Sequence, residues 1–496
     1  MTERVVVVGA GMAGLWSAMA LAAPGREVVV LDRDPPPPEG GADAAFESWQ
    51  RRGVGHLRHS HAFLARLRTI VRDRHPALLD ALLAAGCREL GFEGSLTAKH
   101  KERYVPAPID RDLAILTSRR TTLELEMRRY AEQLPGVEIR PETFVKTLVV
   151  ESGSPPRVTG VRLEDDSLLT ADLVVDAAGR TSQAFEQLAE AGVNVPETSE
   201  ACGVIYFTRH YRLNPGCEEP PRGRAGSTGD LGYLKFGVFP GDNGCFSITL
   251  CAPEVEEEMR KAIVDPEVFD AMCRELPGVA PWIDPERATP TSRVFGMGQL
   301  ESRWREMAPE GRPAVTGYFP VGDCVVRTNP LYGRGCSFAA VSAHLLRDVL
   351  DAERDPGRRL VAYRAGLERE LRPYYEVMKQ SDRGAIRRAR AALLPGSKPS
   401  LRGRVMKSFL EDGLAVAIRE DVDLLREFLR GFHMLEHPQA WLRRPRNVAR
   451  ILRTWVRGKT RNADLYPARG GPDRSEMLQK VGVSVTADAD RLRAAA

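Results

Sequence analysis

Apolar and polar positions follow their clearest pattern at the start of the chain, where two β-branched runs enclose a glycine-rich turn. The run Val5 to Val8 predicts a buried strand, the spacing GxGxxG follows over Gly9 to Gly14, and an Ala-rich apolar segment up to Ala23 predicts a helix. A second run, Val28 to Leu31, predicts another strand that ends at Asp32. Strand, glycine turn, helix, strand and acid predict a dinucleotide-binding unit, since the acid follows the last glycine at close to the expected offset of about 20 residues.

Each position in this unit has a physical task. Gly9 permits the sharp turn out of the strand, Gly11 lets the backbone approach a pyrophosphate, and Gly14 lets the helix pack closely on the sheet. The helix N-terminus offers N–H groups to the anion, and Asp32 can hold a ribose hydroxyl. A secretory leader or a membrane span would also explain the apolar stretch, but neither needs the glycine spacing or the acid.

Between this unit and the next strands, the pattern predicts two helices, a strand-rich portion and a third helix. The first two helices cover 62–74 and 77–85, and the strand-rich portion extends to about Leu116. Ser118 is predicted to cap the third helix, which places Arg119 and Arg120 in its first turn. Cations are unfavourable there unless an anion lies nearby, so the pair predicts either an anion-facing site or two solvated arginines.

Further along, a period of two predicts two groups of strands. The first group lies within 137–176 and ends with the run Leu173 to Asp176, which enters a loop at Ala177 to Gly179. The second group lies within 203–252, is rich in aromatic residues and has Gly241 to Gly244 as a turn, so antiparallel strands are predicted. A separate sheet carrying aromatic side chains suits an apolar substrate pocket, although any sheet core needs the same pattern.

A second candidate nucleotide element begins near Tyr318. A short strand ends at Gly322-Asp323, the glycine-containing loop 329–335 follows, and an apolar helix is predicted from Phe338 to Leu350. A carboxylate at the carboxyl edge of a sheet can bind a polyol, and glycines before a helix let backbone amides face an electron-rich ring. An ordinary strand, turn and helix is the alternative interpretation.

Beyond Leu371 the chain becomes helical and basic. Residues 379–461 contain 20 Lys plus Arg and 8 Asp plus Glu, a net charge of +12, whereas the whole chain has a net charge of +4. Apolar positions predict two amphipathic helices, within 424–432 and 448–455, which either lie on a membrane surface or pack over the substrate domain with their arginines in water. Nucleic acid is not an expected partner, because no aromatic stacking platform accompanies the charge. The tail after Pro467 is expected to be flexible.

Composition narrows the compartment and the kinds of site. The chain has 496 residues, 43% hydrophobic and 28% charged, as expected for an ordinary globular protein with two or three substructures. Its eight cysteines lack a CxxC pair, which suits a reducing cytosol; the cytoplasm is therefore the expected location. His56, His59 and His61 lack metal-ligand spacing, so no metal is expected, and a loop that faces a cofactor anion or ring is predicted.

Taken together, these motifs resemble a known family. The GxGxxG turn with Asp32, the helix start Arg120-x-x-Leu123-Glu124, the junction Asp176 to Gly179, and Gly322-Asp323 followed by Asn329-Pro330-Leu331-Tyr332-Gly333-x-Gly335 look like those of the FAD-dependent monooxygenases of the para-hydroxybenzoate hydroxylase superfamily. Arg51-x-Gly53-Val54 with His59-x-His61, and Val238-Phe239-Pro240, are similar to a bacterial group that includes polyether-antibiotic epoxidases. The resemblance covers about Met1 to Leu371.

The resemblance implies an α/β fold in which a Rossmann-like FAD-binding domain carries an inserted antiparallel-sheet substrate domain and is followed by a helical C-terminal region. The corresponding limits are 1–200 and 301–372 for the FAD-binding domain, 201–300 for the substrate domain, 373–466 for the helical region and 467–496 for the tail. The implied activity is an FAD-dependent monooxygenase that inserts one oxygen atom from O₂ into a hydrophobic small molecule, by hydroxylation or by alkene epoxidation through a flavin C4a-hydroperoxide.

The resemblance also implies site residues. The glycine turn would hold the FAD pyrophosphate, Asp32 the adenosine ribose and Asp323 the ribityl chain or pyrophosphate, while the loop 330–335 would lie against the isoalloxazine. The residues expected to bind the cofactor are Gly9, Gly11, Met12, Ala13, Gly14, Asp32, Arg33, Arg58, Arg120, Val145, Gly322, Asp323, Pro330, Gly333, Gly335 and Cys336. His59 and His61 are the candidate catalytic residues, because histidine titrates near neutral pH and both belong to the loop expected beside the flavin.

Departures from the family pattern leave alternatives open. Asp176-Ala177-Ala178-Gly179 replaces an Asp-Gly motif that serves both FAD and the nicotinamide cofactor, so electrons are expected either from NAD(P)H or from a separate flavin reductase as a partner. The Trp-x-Trp-x-Ile-Pro stretch of tryptophan halogenases is absent from the sequence, which disfavours a halogenase. A flavin-dependent reductase of isoprenoid double bonds and, more remotely, a non-catalytic prenyl-binding protein are further alternatives.

Overall fold

The computed structural model describes residues 2–221, 223–393 and 400–483. Its strands are β1 Glu3–Val8, β2 Arg26–Leu31, β3 Arg88–Leu90, β4 Ile115–Thr117, β5 Val137–Arg140, β6 Val145–Glu151, β7 Arg157–Leu163, β8 Leu168–Thr170, β9 Leu173–Asp176, β10 Glu197–Ala201, β11 Val204–Leu213, β12 Thr228–Asp230, β13 Lys235–Pro240, β14 Cys245–Pro253, β15 Ala288–Pro290, β16 Phe295–Met297, β17 Glu301–Arg305, β18 Tyr318–Pro320 and β19 Val326–Arg327.

The α-helices are α1 Met12–Leu21, α2 Ala42–Ser48, α3 Ala65–Arg74, α4 Pro76–Ala84, α5 Ala98–Lys101, α6 Arg120–Glu132, α7 Ala184–Glu190, α8 Glu257–Ala262, α9 Pro266–Arg274, α10 Gly335–Ala352, α11 Pro356–Glu370, α12 Arg372–Leu393, α13 Leu401–Ser408, α14 Ala415–Glu420, α15 Val422–Phe432, α16 Pro445–Arg461 and α17 Arg474–Lys480. A π-helical segment, Phe409–Leu414, connects α13 to α14. Within the described residues, no helix is both long and apolar enough to cross a membrane.

A five-stranded parallel sheet lies at the centre of the main core, in the order β18-β9-β1-β2-β5. The central residues of β1, Val5 to Val7, are fully buried, as expected for a parallel sheet that is covered on both faces. The helix α1 packs against α10 and against the sheet. The apolar stretch near the start of the sequence, for which a secretory leader was the alternative interpretation, therefore forms β1 and α1 of this core.

A separate antiparallel sheet has the order β12-β13-β14-β11-β15, with β16 also paired to β11. The strands predicted within 203–252 are confirmed, and Gly241 to Gly244 connects β13 to β14. One face of the sheet forms a second core with α9, in which Phe246, Phe269 and Met272 are buried. Smaller sheets have the orders β10-β17-β19, β6-β7-β8 and β3-β4.

The two amphipathic helices predicted in the basic C-terminal part are confirmed as α15 and α16. Leu424 of α15 and Ile451 of α16 are buried together with Trp441. Arg426 of α15 forms an ion pair with Asp110, 2.7 Å away, so one face of this helical region packs against the rest of the chain. The predicted domain limits stay a prediction.

Three details differ from the expectations. The portion expected to be strand-rich up to Leu116 contains only the short strands β3 and β4, with α5 and 3₁₀ turns between them, because Gly and Pro interrupt its short apolar runs. Ser118 does not cap α6, since its hydroxyl donates to the Arg119 carbonyl instead. The segment after Pro467 contains α17, whose Met477 and Leu478 are buried in the second core; residues 484–496 lie outside the described part of the chain.

Candidate active site

A cavity of about 1130 Å³ lies at the carboxyl edge of the parallel sheet and extends to the antiparallel sheet. The strands β1, β2, β9 and β18 all end at this edge, and residues that follow each of them line the cavity. The carboxyl ends of parallel strands are the usual ligand site in open α/β sheets. We call the part beside these strands the nucleotide end and the part beside β11, β13 and β14 the substrate end.

Three positions at the nucleotide end are occupied by glycine for different physical reasons. Gly9 has φ +95°, and a Cβ there would lie 2.9 Å from the Ala177 carbonyl oxygen. A Cβ on Gly14 would lie 1.8 Å from the Gly9 carbonyl oxygen, so only glycine lets α1 begin this close to the turn. A Cβ on Gly11 would meet nothing nearer than Val54 Cγ2 at 3.7 Å. The protein itself therefore does not require glycine at position 11, which leaves the approach of a ligand as the reason.

The first turn of α1 is open to an anion. Its N-cap residue, Gly11, has no side chain that could accept a hydrogen bond from the helix, and the first turn contains no acidic residue. The first N–H groups of a helix lack partners within the helix, and the helix dipole favours negative charge at this end. Met12 and Ala13 line the cavity here.

A buried group of charges lies beside this turn. Asp32 is 4% exposed and lies 3.4 Å from Arg51 Nη2, which donates to the Ala10 carbonyl oxygen at 3.0 Å. Arg51 also lies 3.5 Å from Glu124. Asp32 Oδ2 and Arg51 Nη1 are buried and form no hydrogen bond with a described residue. Burial raises the pKa of Asp32, and Arg51 opposes that rise.

Arg51 was not among the predicted ligands, although the sequence motif Arg51-x-Gly53-Val54 includes it. Its sequence neighbourhood is basic, and only the fold reveals that this one guanidinium is 1% exposed and in contact with three acidic residues. The two arginines predicted either to face an anion or to be solvated are buried as well. Arg119 pairs with Asp242 at 2.6 Å, whereas Arg120 lines the cavity and pairs with Glu124 at 2.6 Å.

The two candidate catalytic histidines have different roles in the hydrogen-bond network. His61 Nδ1 lies 2.8 Å from the His59 carbonyl oxygen, so Nδ1 carries the proton and Nε2 accepts from Arg120 Nη1 at 3.3 Å. Burial, with the charge of Arg120 adding to it, holds the pKa of His61 well below its ordinary value. His61 is therefore neutral, and the electron pair of its Nε2 already accepts a hydrogen bond from Arg120.

His59 belongs to a chain of hydroxyl groups at the substrate end. Thr249 Oγ1 donates to Ser60 Oγ at 2.8 Å, so Thr208 Oγ1 donates to Thr249 at 2.8 Å and accepts from His59 Nδ1 at 3.0 Å. Burial lowers the pKa of His59 to about 4. His59 is thus neutral with its proton on Nδ1, and its Nε2 electron pair has no donor among the described residues.

The second nucleotide element lies directly beside the first. A Cβ on Gly322, which has φ +61°, would lie 2.9 Å from Ala13 Cβ, so the turn after β18 packs closely on α1. The carboxylate of Asp323 lines the cavity and forms no hydrogen bond or ion pair with any described residue. Burial raises the pKa of Asp323 against the influence of Arg327 and Arg120.

The loop that follows brings a second helix N-terminus to the cavity. Gly333 adopts the left-handed conformation with φ +64°, and α10 begins at Gly335, three residues before the predicted start. A Cβ on Gly335 would meet no atom within 4 Å. Pro330 and Cys336 also line the cavity, and burial raises the pKa of the Cys336 thiol to about 11.

One asparagine connects this loop to two other parts of the chain. Asn329 Oδ1 accepts from the Tyr206 hydroxyl at 2.5 Å, and its Nδ2 donates to Asp382 Oδ1 at 2.9 Å. The Tyr332 hydroxyl donates to the same Asp382 oxygen at 3.0 Å. The loop is therefore held between the antiparallel sheet and α12, by residues that sequence spacing gave no reason to combine.

The structure brings most predicted site residues to the cavity. Those that line it are Gly9, Gly11, Met12, Ala13, Asp32, Arg33, His59, His61, Arg120, Val145, Asp323, Pro330, Gly333, Gly335 and Cys336. Gly14 and Gly322 lie behind its wall. Arg58 lies outside its lining and donates to the carbonyl oxygens of Phe46 and Trp49, at 2.8 and 3.2 Å. Within the described ranges, no cluster of three or more His, Cys, Asp or Glu side chains could hold a metal ion.

The nucleotide end fits FAD on structural grounds. Asp32 Oδ2 and Arg51 Nη1 are buried polar atoms without hydrogen-bond partners in the described chain, as groups that await a ribose and a phosphate would be. Gly11 and Gly335 leave open space where a side chain would otherwise project. Two helix N-termini without side-chain caps face the same cavity. Fold and site together define an α/β protein whose cavity has the features of a dinucleotide site and extends to an antiparallel sheet.

Comparison with known families gives the same assignment. Residues 4–201 match the family model described as FAD binding domain. Among curated proteins, none matches the chain.

Solved structures share the fold at low sequence identity. A triple mutant of the flavin-dependent brominase Bmp2 aligns over 92% of this chain and 99% of its own, with 16% identity and a TM-score of 0.57. PqsL, a probable FAD-dependent monooxygenase from Pseudomonas aeruginosa, aligns over 78% and 98%, with 16% identity and a TM-score of 0.54. A mutant 2-methyl-3-hydroxypyridine-5-carboxylic acid oxygenase aligns over 78% and 92%, with 19% identity and a TM-score of 0.51. The predicted fold class is confirmed.

Proposed function

We propose that the protein is an FAD-dependent monooxygenase that inserts one oxygen atom from O₂ into a hydrophobic small molecule, by hydroxylation or by alkene epoxidation. The observation that carries this proposal is a continuous cavity that joins the dinucleotide residues to the antiparallel sheet. Its volume exceeds the roughly 300–1,000 Å³ of a site for one drug-sized ligand, as expected if cofactor and substrate share it. The neighbours PqsL and the pyridine-carboxylic acid oxygenase support the same reaction class.

The substrate end favours an apolar molecule with one polar group. Phe236, Phe239 and Met297 line this end and supply apolar contacts. The hydroxyl chain that begins at His59 forms the polar part of the same wall. Because His59 Nε2 has a free electron pair, this residue can accept a hydrogen bond from a hydroxyl group of the substrate.

The chain's own part in the reaction is binding, orientation and exclusion of water. FAD, when bound, would supply the oxygen-activating redox chemistry. The glycine turn with Asp32 and Arg51 would hold its nucleotide half, and Asp323 with the loop 330–335 would hold its flavin half. Arg120, kept in place by Glu124 and His61, brings positive charge to the wall between the two ends.

We propose that electrons come from a separate flavin reductase, with direct reduction by NAD(P)H as the alternative. Asp176, at the altered junction, already accepts hydrogen bonds from Tyr318 at 2.7 Å, from Ser182 at 2.5 Å and from the Ala178 N–H at 3.1 Å. Its carboxylate therefore offers little capacity for a second nucleotide. We also propose a cytoplasmic location with peripheral membrane contact through the basic C-terminal helices, since a hydrophobic substrate partitions into bilayers.

A flavin-dependent halogenase is the second candidate function. The brominase aligns over 92% of this chain, whereas the two oxygenases align over 78%. The absence of the tryptophan-halogenase stretch from the sequence argues only against a tryptophan halogenase and leaves other flavin-dependent halogenases open. A reductase of isoprenoid double bonds and a non-catalytic prenyl-binding protein stay more distant alternatives.

Purification in the presence of FAD, followed by assays with reduced flavin, separates these functions. A panel of lipophilic alkenes and phenols is incubated with ¹⁸O₂, with and without bromide, and the products are analysed by mass spectrometry. Incorporation of one ¹⁸O atom supports the monooxygenase, and a bromide-dependent product supports the halogenase. A purified protein that binds neither oxidised nor reduced FAD in titrations would overturn every flavin-dependent function.

A further inference from the structure

Exposed apolar side chains are concentrated on two C-terminal helices. Of the thirteen large hydrophobic residues that are exposed in the described ranges, seven belong to α13, the π-helical segment after it, and α16. We call this set the apolar–basic face; its apolar members are Leu401, Val405, Met406, Leu410, Val448, Leu452 and Val456. Val456 is 83% exposed and Leu401 70%. None of the seven lines the cavity, so the face is separate from the candidate active site.

The two helices form one packed unit. The rings of Phe409 and Trp455 lie 5.5 Å apart with an interplanar angle of 88°, and Trp455 Nε1 donates to Ser408 Oγ at 3.1 Å. Gly413 lies directly against the Trp455 side chain. Packing therefore covers one side of α16 and of the π-helical segment, whereas residues 401–407 of α13 are all exposed. Val448, Leu452 and Val456, spaced four residues apart, leave a continuous apolar stripe on the other side of α16.

Exposed cations without an ion pair to a described residue occur in several parts of the helical region, for example Arg387 and Arg388 of α12, and three of them lie on this face. Arg426, Arg444 and Arg457 form ion pairs with acidic residues at 2.7 to 2.8 Å. Arg402, Arg404 and Arg453 are exposed and form no ion pair with any described residue. These arginines alternate with the exposed apolar residues along α13 and α16, so unpaired positive charge accompanies the exposed apolar area.

We propose that the apolar–basic face binds the surface of an anionic lipid bilayer, with its apolar side chains in the acyl boundary and Arg402, Arg404 and Arg453 on the lipid phosphates. Helices of this composition lie in the membrane interface, and their affinity grows with buried apolar area and with attraction to anionic lipid. A second copy of the chain would place unpaired arginines opposite arginines, which is unfavourable. The inference identifies the surface behind the proposed membrane contact and does not depend on the oxygenation chemistry.

Vesicle flotation of the full-length, FAD-loaded protein tests this surface. The vesicles are phosphatidylcholine alone or phosphatidylcholine with about one third phosphatidylglycerol, which gives an anionic surface potential. Binding is expected only to the anionic vesicles, and it should weaken as NaCl rises from about 0.1 M to about 1 M, because the Debye length shortens from about 10 to about 3 Å. Equal binding to both vesicles, or to neither, would overturn the proposal.

Three variants assign the binding to this face. Val456→Asp is expected to lower vesicle affinity by roughly tenfold or more, because a charge replaces buried apolar area. The double variant Arg402→Glu with Arg453→Glu should lower it by at least roughly fivefold for each charge. Val105→Asp, at a site 72% exposed outside the face, is the matched control and should bind as the wild type. Light scattering without lipid provides the other readout: a dimer that Val456→Asp abolishes, with vesicle binding unchanged, would overturn the proposal in favour of a second copy.

Discussion

The nucleotide end and the substrate end of the cavity are built in different ways. At the nucleotide end, most ligand-facing groups are backbone amides, glycines and carboxylates from the two continuous stretches 9–34 and 322–336, and Arg51 is added to them by the fold. At the substrate end, His59, Ser60, Thr208 and Thr249 form one hydrogen-bonded chain although up to 190 positions separate them in sequence. The first end is defined by local backbone geometry, and the second by tertiary packing. Substitutions at the two ends should therefore separate cofactor affinity from turnover.

The largest effects are expected at the glycine turn. Gly14→Ala places a Cβ 1.8 Å from the Gly9 carbonyl oxygen, so the turn must move. We expect a loss of stability of roughly 1–3 kcal/mol or more, together with a loss of FAD binding. Gly11→Ala meets no close protein atom and should lower FAD affinity at least about tenfold while the apoprotein loses no more than about 1 kcal/mol. Thermal unfolding of the apoproteins and FAD titration measure the two effects.

Gly41→Ala is the matched control for Gly11→Ala. Gly41 is also the N-cap residue of a helix, α2, and a Cβ there would meet no atom within 4 Å. Gly41→Ala therefore has the stability cost of an N-cap substitution, but it lies outside the proposed cofactor site. If Gly11→Ala binds FAD as tightly as Gly41→Ala does, the proposed approach of the pyrophosphate at Gly11 is wrong.

A smaller effect is expected at the flavin half of the nucleotide end. Asp323→Ala removes a carboxylate that forms no hydrogen bond with the described protein, so the fold should be unaffected. FAD affinity should fall roughly 10- to 100-fold, the equivalent of one lost hydrogen bond to a charged group of about 1.5–3 kcal/mol. Asp176→Ala provides the contrast, because its carboxylate is bonded to Tyr318 and Ser182. Asp176→Ala should lower the unfolding temperature, and an equal stability loss in Asp323→Ala would contradict the assignment.

The nucleotide end and the substrate end also differ in how far the sequence predicts them. The turn at Gly9 to Gly14 and the acid after β2 follow from local backbone requirements, and both were predicted correctly. The start of α10 was predicted at Phe338, because Gly335, Cys336 and Ser337 give no apolar signal although they continue the helix. The contact between Thr208 and Thr249 depends on the antiparallel register of β11 and β14, which no local pattern determines. The different roles of His59 and His61 likewise depend on neighbours that only the fold supplies.

The substrate end should respond in turnover and not in cofactor affinity. His59→Ala removes the free Nε2 electron pair and leaves Thr208 bonded to Thr249. We expect kcat/KM to fall about tenfold with unchanged FAD affinity, the equivalent of one lost hydrogen bond of about 1.5 kcal/mol. His61→Ala instead removes the acceptor of Arg120 and should change FAD affinity. Steady-state kinetics and FAD titration of both variants test these expectations. If His59→Ala and His61→Ala changed turnover and FAD affinity in the same way, the different roles assigned to the two histidines would be wrong.

The smallest effect of any single substitution is expected in the pH dependence of stability, which depends on buried histidines. Burial lowers the pKa of five histidines to about 4, in the pair His75 and His344 of the main core and in His59, His210 and His433. The unfolded chain binds protons at these positions below about pH 6.5, and the folded chain does so only near pH 4. Their contribution to stability is therefore present above about pH 6.5 and is lost as the pH falls toward about 4.

Asp382 contributes with the opposite sign, because burial raises its pKa to about 6 and the folded state keeps its proton longer than the unfolded state does. Asp32 and Asp323, whose pKa burial also raises, act in the same direction as Asp382. Five histidines outweigh these three acids, so the unfolding temperature should decrease from about pH 6.5 to about pH 5, with a slope of at most about 1.4 kcal/mol per pH unit for each histidine. His59→Gln should reduce the slope. His437→Gln, at an exposed histidine, is the control and should leave the slope nearly unchanged. An unfolding temperature that does not change over this range would show that these histidines are not held neutral by the fold.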